Sequence, residues 1–372
     1  MLVEKQRISG EQLAFMVGAQ LMGNVLLIDP ASYAGHLGWV VSLTGGLYAL
    51  FLCWIYNSLS GKFPGISPTD YAVILFGDFL GKAVILSHFV LFMLSAMVSF
   101  NDFLAFTNLG MPETPKIVII ICQAVVVMIA LYLGLESIAR TTVFIIVFSI
   151  LSFVLSTVLA LKDMDFMLLL PLATDRPQEF WQSLFTVIGW PFSQLVLFLW
   201  FIPLVNNPKE AKKGLLRGVL LGSSIVFFAS LRNICIFGDG VTNQLFPAIS
   251  FARNISIGAN VMRVEIITSL TLNFIGFVST TLFLYASVLC IAQMFNLRSH
   301  RTLILPLFVV VVLITSRLPL NIALLSWAER HFIRYFLFIM GFVLPVIGVI
   351  RSFFVKEKQG PAKKNRSTKA RR

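Results

Sequence analysis

At 372 residues, with 58% hydrophobic side chains, 35 phenylalanines and 12% charged residues, this chain carries far more apolar surface than a soluble core could bury. Its formal net charge of +12 comes from residues flanking apolar runs and from the segment 363–372, without interleaved aromatics. That pattern speaks for anionic lipid headgroups and membrane topology, and against nucleic acid.

Ten apolar runs reach the length that spans a bilayer as helix, at about 10–33, 38–60, 83–108, 116–134, 140–161, 181–205, 215–237, 263–295, 303–322 and 331–354. The chain therefore reads as an all-α integral membrane protein with ten transmembrane helices. It forms a single membrane domain over 1–372, with halves at about 10–161 and 181–354 and a basic cytoplasmic tail at 355–372. Placing both termini inside puts 20 of the 29 Lys and Arg on the cytoplasmic side, as the positive-inside rule favours. The first run is too long, and too polar in its middle, for a cleavable signal peptide.

Ser9 followed by Gln12 is a capping-box pattern that starts the first helix. Within that span the stretch from Gly18 to Pro30 carries Gln20, Gly23, Asn24 and Asp29 at depths where a plain membrane helix would be leucine and valine. An interrupted helix is tolerated in a bilayer only where its freed backbone faces protein or a wet cavity, so this stretch marks a site. The alternative is that Gly18 and Gly23 only let a neighbouring helix approach closely.

Further along, Ser67 and Pro68 start a short helix whose stripe of Tyr71, Ile74, Leu75 and Phe79 predicts an amphipathic segment along the membrane surface. His88, alone in the third span, reads as a packed polar group. Thr114 and Pro115 are expected to cap and start the fourth span, and Glu136 and Arg140 to pair four residues apart on the helix that follows. The cysteines Cys53, Cys122, Cys235 and Cys290 lack metal-ligand spacing and read as buried small hydrophobes.

The sixth span contains Gly189, Trp190, Pro191, Phe192, Ser193, Gln194 and Leu195, and a proline in that setting breaks a helix. Spans 1 and 6 open the two five-helix halves. Interrupted segments at corresponding positions of two halves point to a transporter-like site at the bilayer midplane, and an odd helix count per half makes the repeat inverted. Phe246 to Ile249 predicts a segment folding back on the membrane. In the eighth span Asn273, Phe277, Thr281 and Tyr285 form one stripe, which fits either a pocket lining or interhelical hydrogen bonding.

These pieces resemble, in order and through nearly the whole chain, the B subunits of spore germinant receptors, the spore permease family of the amino acid-polyamine-organocation superfamily. The matching residues are the broken first span ending at Pro30, Met111 to Pro115, Gly134 to Arg140, Leu169 to Leu172, Pro191 to Gln194, and Arg263 to Glu265. The resemblance implies the leucine-transporter type of inverted repeat with helices 1 and 6 broken. It also implies the inner membrane of bacterial spores, a nutrient ligand such as an amino acid, and A and C subunit partners.

By analogy, Gly23, Val98, the Ser193 to Leu195 region, Thr281 and Tyr285 line the ligand pocket. Asn24, Trp190 and Pro191 join them from the two breaks. Gln194 departs from the glutamate common in the family, and it cannot form an ion pair. Asp29, Asp102, Arg232 and Glu265 stand near helix ends as gate or cap charges, with an ion pair a fitting use for Asp102 and Arg232. Two functions fit: a sensor that acts through partner subunits, or an amino acid transporter coupled to protons or sodium. The sequence shows no nucleophile–base pair, metal spacing or phosphate loop, so no enzyme activity, metal or cofactor is expected.

Overall fold

The computed structural model describes residues 7–27, 29–110, 113–244, 246–254, 264–297, 299–317 and 332–354, with backbone alone at 24–27, 105–106, 108–110, 253–254, 264–265 and 317. The main helices are α1 (Gly10–Leu27), α2 (Gly38–Lys62), α3 (Pro68–Phe76), α4 (Asp78–Gly110), α5 (Lys116–Leu133) and α6 (Leu135–Ala160). They continue with α7 (Pro177–Gly189), α8 (Pro208–Phe237), α9 (Pro247–Asn254), α10 (Val264–Met294) and α11 (Arg301–Arg317). The last, α12 (Arg334–Ser352), widens into a π-helix over Ile339–Val343.

Eight helices are long and apolar enough to cross a bilayer, and Arg301–Ser316 is a shorter apolar helix. The expected count of ten is thus met only in part among the described residues. Glu11, Gln12, Gln20 and Asn24 dilute α1 below that level, and the expected end of the ninth span lies in 318–331, outside the described residues.

Local sequence explains several helix starts. Ser9 and Gln12 form the reciprocal capping box, with Ser9 N donating to Gln12 Oε1 at 2.8 Å and Gln12 N to Ser9 Oγ at 3.1 Å. Ser67 Oγ accepts from Asp70 N at 3.2 Å at the start of α3, and Asn207 Oδ1 accepts from Lys209 N at 2.9 Å at the start of α8. Thr114 does not cap α5, whose N-cap position is taken by Pro115 without a side-chain bond. The expected stripe of α3 is also corrected. Gly77, at φ 84°, ends that helix before Phe79, so Tyr71, Ala72 and Leu75 form its buried face and Ile74 is exposed.

Glu136 and Arg140 pair as expected, at 2.6 Å. Cys53, Cys235 and Cys290 are buried as free thiols, whereas Cys122 is exposed on α5.

Close backbone approach organises the interior. On α8, Gly214, Gly218 and Gly222 recur every four residues against α1. A Cβ there would strike the carbonyl of Gly10, the carbonyl of Ala14 (2.5 Å) and Leu21 Cβ (2.8 Å) respectively. This small-residue stripe lets two helices touch along their backbones, which is how membrane helices gain packing energy without a hydrophobic driving force. Gly18 packs between Ile146 of α6 and Leu221 of α8, and Gly23 packs on α10, so both glycines admit a neighbouring helix closely. The 31-residue α10, about 46 Å long, runs against α4, α1 and α6 and is buried along most of its second half. Phe251 and Ala252 of α9 fold back into a small cluster with Ala160.

Candidate ligand site between the helix breaks

Two helices that face the interior are interrupted. The first, α1, stays helical through Gly23 to Leu27, and the break comes at Asp29. The interruption therefore falls at the far end of the stretch Gly18 to Pro30, about one and a half turns beyond Gly23. Asp29 is extended (φ −78°, ψ 95°), and its carboxylate accepts from Ala31 N at 3.1 Å to start a 3-10 segment, Pro30–Leu37. Ser32 Oγ donates back to the Asp29 carbonyl at 2.6 Å. Ser183 of α7 donates to the Pro30 carbonyl at 2.8 Å, which ties this segment to the second broken helix.

That second helix, α7, ends at Gly189. Trp190 is extended (φ −141°, ψ 124°), and after Pro191 the chain continues as a 3-10 helix over Phe192–Trp200, every residue of which is buried. Proline removes the donor an α-helix would need there, so the tighter helix restarts beyond it. Ser193 Oγ donates to the Ile188 carbonyl at 2.8 Å, which spends its only proton, so the Tyr48 hydroxyl at 2.9 Å is the donor to Ser193.

Helix α1, the second break and α10 meet at a buried cluster of neutral polar groups. Gln20 Nε2 of α1 approaches Gln194 Oε1 at 3.5 Å, while Gln20 Oε1 has no partner although the residue is buried. One turn along α1, a Cβ on Gly23 would meet Ile275 Cγ2 at 2.6 Å and Ser279 Oγ at 2.8 Å. The Ser279 hydroxyl is also buried without a partner, as is its neighbour Thr280 Oγ1. Buried polar atoms are paired in nearly all proteins, so orphans that converge on a helix break mark groups that await a ligand or water.

Of the residues expected to line the pocket, Gly23 and Gln194 come together through Gln20. Trp190, Pro191, Ser193 and Leu195 are buried at the second break. Thr281 is buried on α10 but spends its hydroxyl on the Phe277 carbonyl at 2.7 Å. Tyr285 lies one turn further, with ring contacts to Phe201 and His300. Val98 is half-buried on α4, which packs along α10. The side chains of Asn24 and Glu265 lie outside the described residues.

Asp102 is half-buried on α4. Neither it nor Arg232 enters an ion pair among the described residues; Arg232 reaches Ser156, Thr157 and Asn233 instead. Asp29 faces Asn233 and Ser230 of α8. His88 is a packed group, as its isolation in an apolar run implies, bonded to the Val84 carbonyl at 2.8 Å and set against Trp200.

The residues that sequence reasoning did not assign are Ser279, Tyr48 and Gln20. Gln20 was visible as a polar side chain in the opening stretch. Ser279 was one hydroxyl among many in its span, and Tyr48 meets Ser193 only through tertiary packing.

A bundle of long apolar helices, two of them broken and one of those breaks beside a buried cluster of neutral polar groups, has the architecture of a membrane protein of the transporter class. Comparison with known proteins agrees. The chain belongs to the family described as spore germination protein, whose profile matches residues 7–320. It is 26% identical over 326 residues to spore germination protein KB of Bacillus subtilis (strain 168), covering 86% of this chain and 87% of that protein. Among solved structures it is similar to a Na+-coupled sialic acid symporter in its substrate-bound outward-open state, with TM-score 0.67 and 12% identity over 94% of this chain and 79% of that one. That likeness establishes the leucine-transporter type of fold. Family and fold together are those of a multi-pass membrane receptor or permease for spore germination.

Proposed function

We propose that this chain is the nutrient-sensing B-type subunit of a spore germinant receptor and that it binds a small zwitterion, an amino acid, between α1, the 3-10 helix Phe192–Trp200 and α10. The observation that carries the reading is the pair of unpartnered buried oxygens, Gln20 Oε1 and Ser279 Oγ, beside Gly23 and Gln194. Amides at the start of the 3-10 helix offer donors to a ligand carboxylate, and carbonyls freed at the breaks accept from its amino group. Trp190 and Phe192 enclose the ligand side chain. Gln194, being neutral, favours ligands without an extra positive charge.

In this reading the two halves, about 10–161 and 181–354, move relative to one another, and the ligand shifts their equilibrium by its differential affinity for the two states. A and C subunits in the spore inner membrane convert that shift into germination, without catalysis by this chain. Both termini face the cytoplasm.

The second reading is a proton- or sodium-coupled amino acid transporter, which the likeness to a symporter keeps in play. Purified protein in liposomes separates the two. Saturable binding of a labelled amino acid without gradient-driven accumulation is the expected result. Concentrative uptake overturns the sensor reading, and binding that survives Gly23→Phe at wild-type affinity places the ligand elsewhere.

A further inference from the structure

A second polar cavity, separate from the pocket above, lies between α6, α8, α9 and α10. It has a volume of about 20 Å³ and is lined by Arg232 together with Ser149, Ser152, Ser156, Thr268 and Thr271. Arg232 is 3% exposed. Its guanidinium is held between two aromatic faces, with the central carbon 4.1 Å from the Phe251 ring centroid and 4.9 Å from that of Phe153.

Its only hydrogen bonds among the described residues are long ones to neutral oxygens: Ser156 Oγ (3.4 Å), Thr157 Oγ1 (3.3 Å) and Asn233 Oδ1 (3.3 Å). Among the described residues the Nε–H has no partner and no carboxylate lines the cavity.

Arginine keeps its charge, and a buried cation without a counter-charge is expensive in a protein interior. The hydroxyls of Ser156 and Thr157 donate to the Phe153 carbonyl, at 3.0 and 2.7 Å, so they present lone pairs to the guanidinium and do not compete for an anion. Among the described residues the charge that acts on it is that of Asp29, which lies outside ion-pair distance. A space of this size holds one water-sized sphere and excludes an amino acid. A halide fits that size, carries the missing charge, and can take the Nε–H of Arg232 and the hydroxyl of Ser152 as donors.

We propose that Arg232 is the centre of a monoanion site of halide size, distinct from the nutrient pocket, with Ser152 as its second donor. An anion there shares Arg232 with Asp29, so occupancy bears on the residue that stitches the first helix break.

The test is thermal unfolding and radiolabelled chloride binding on the purified full chain, with chloride or bromide exchanged for gluconate at constant ionic strength. Expected are a saturable rise in Tm with chloride, its loss in Arg232→Gln, a several-fold weaker apparent affinity in Ser152→Ala, and a tighter one in Asp29→Asn. If Arg232→Gln does not fold, the Ser152→Ala and Asp29→Asn shifts carry the test in its place. Equal Tm in chloride and gluconate with no chloride bound overturns the proposal, as does a chloride effect that persists unchanged in Arg232→Gln or in both other variants.

Discussion

The two helix breaks solve the same backbone problem with different chemistry. At the first, the loose end is stitched by a carboxylate: Asp29 caps the following segment, faces Asn233 and Ser230, and stands in the field of Arg232. At the second, the stitching is neutral and steric: Ser193 bridges to Ile188 and Tyr48, while Gly45 and Gly341 let Phe192 and Ser193 seat against their backbones. Tyr56 adds a hydrogen bond from its hydroxyl to the Gly341 carbonyl at 2.5 Å. Charge interactions act at a distance and answer to ions and ligands, whereas close packing is short-ranged and stiff. The second break is therefore the stiff platform of the site, and the first is an adjustable joint further along α1.

If that contrast holds, the largest effect comes from overfilling the platform. A Cβ at Gly341 would drive into the Ser193 carbonyl and come within 2.8 Å of Ser193 Cβ, neither of which can move cheaply. Gly341→Ala should cost about 1–3 kcal/mol, seen as a lower Tm and less extractable protein. A fully stable Gly341→Ala chain would mean that the second break yields as readily as the first, and the contrast would collapse.

A smaller and more informative effect is expected at Asp29. Removing an N-cap side chain costs about 0.5–2 kcal/mol, whereas asparagine caps as well as aspartate. Asp29→Ala should therefore lose the cap and the charge together, while Asp29→Asn keeps the cap and recovers about half of the lost stability. Recovery to the full wild-type value would show that the carboxylate acts only as a cap, which would remove the electrostatic half of the comparison.

These features differ in how far the sequence reveals them. Helix caps and breaks are local chemistry, so Ser9, Gln12, Ser67 and Pro191 announce themselves, and the all-helical fold follows from apolar runs of bilayer length. The exact point of the first break does not, because Gly23 tolerates a helix perfectly well when its missing Cβ is needed for the contact with Ser279. The orphan oxygens of Gln20 and Ser279 are also hidden, since an unmet hydrogen bond is a property of the surroundings. Two charges near helix ends, Asp102 and Arg232, suggest an ion pair from sequence alone. The fold instead gives Arg232 to α6 hydroxyls and aromatic faces.

The smallest effect lies at the connections beside the first break, before α2 begins at Gly38 and after α8 ends at Phe237. There the His36 backbone N–H donates to Asp239 Oδ1 at 2.9 Å and its Nδ1 reaches the same oxygen at 3.0 Å, while Nε2 meets the Ala173 carbonyl at 3.1 Å. Gly35 makes the approach possible: at φ 60° it adopts a turn that side chains resist, and a Cβ would sit 2.5 Å from Asp239 Oδ1.

Partial burial pulls the His36 imidazole down, but the Asp239 carboxylate and the Ala173 carbonyl outweigh it and hold the ring above its ordinary value. The hydrogen bonds from His36 draw Asp239 below the usual carboxylate range. A raised histidine contributes stability that is complete below its unfolded value near pH 6.5 and fades as pH climbs through the folded one. The depressed carboxylate contributes above about pH 4 and loses its share as pH falls through its folded value.

The latch is therefore strongest between those limits, and because Asp239 is largely exposed its strength stays within the modest range of surface pairs. His36→Gln keeps the backbone hydrogen bond and removes the titration, so it should flatten the loss of Tm between pH 6 and 8 while leaving the second break untouched. A pH profile unchanged in His36→Gln would show that the first break is held by its cap and Arg232 alone, which confines its electrostatic stitching to the membrane interior.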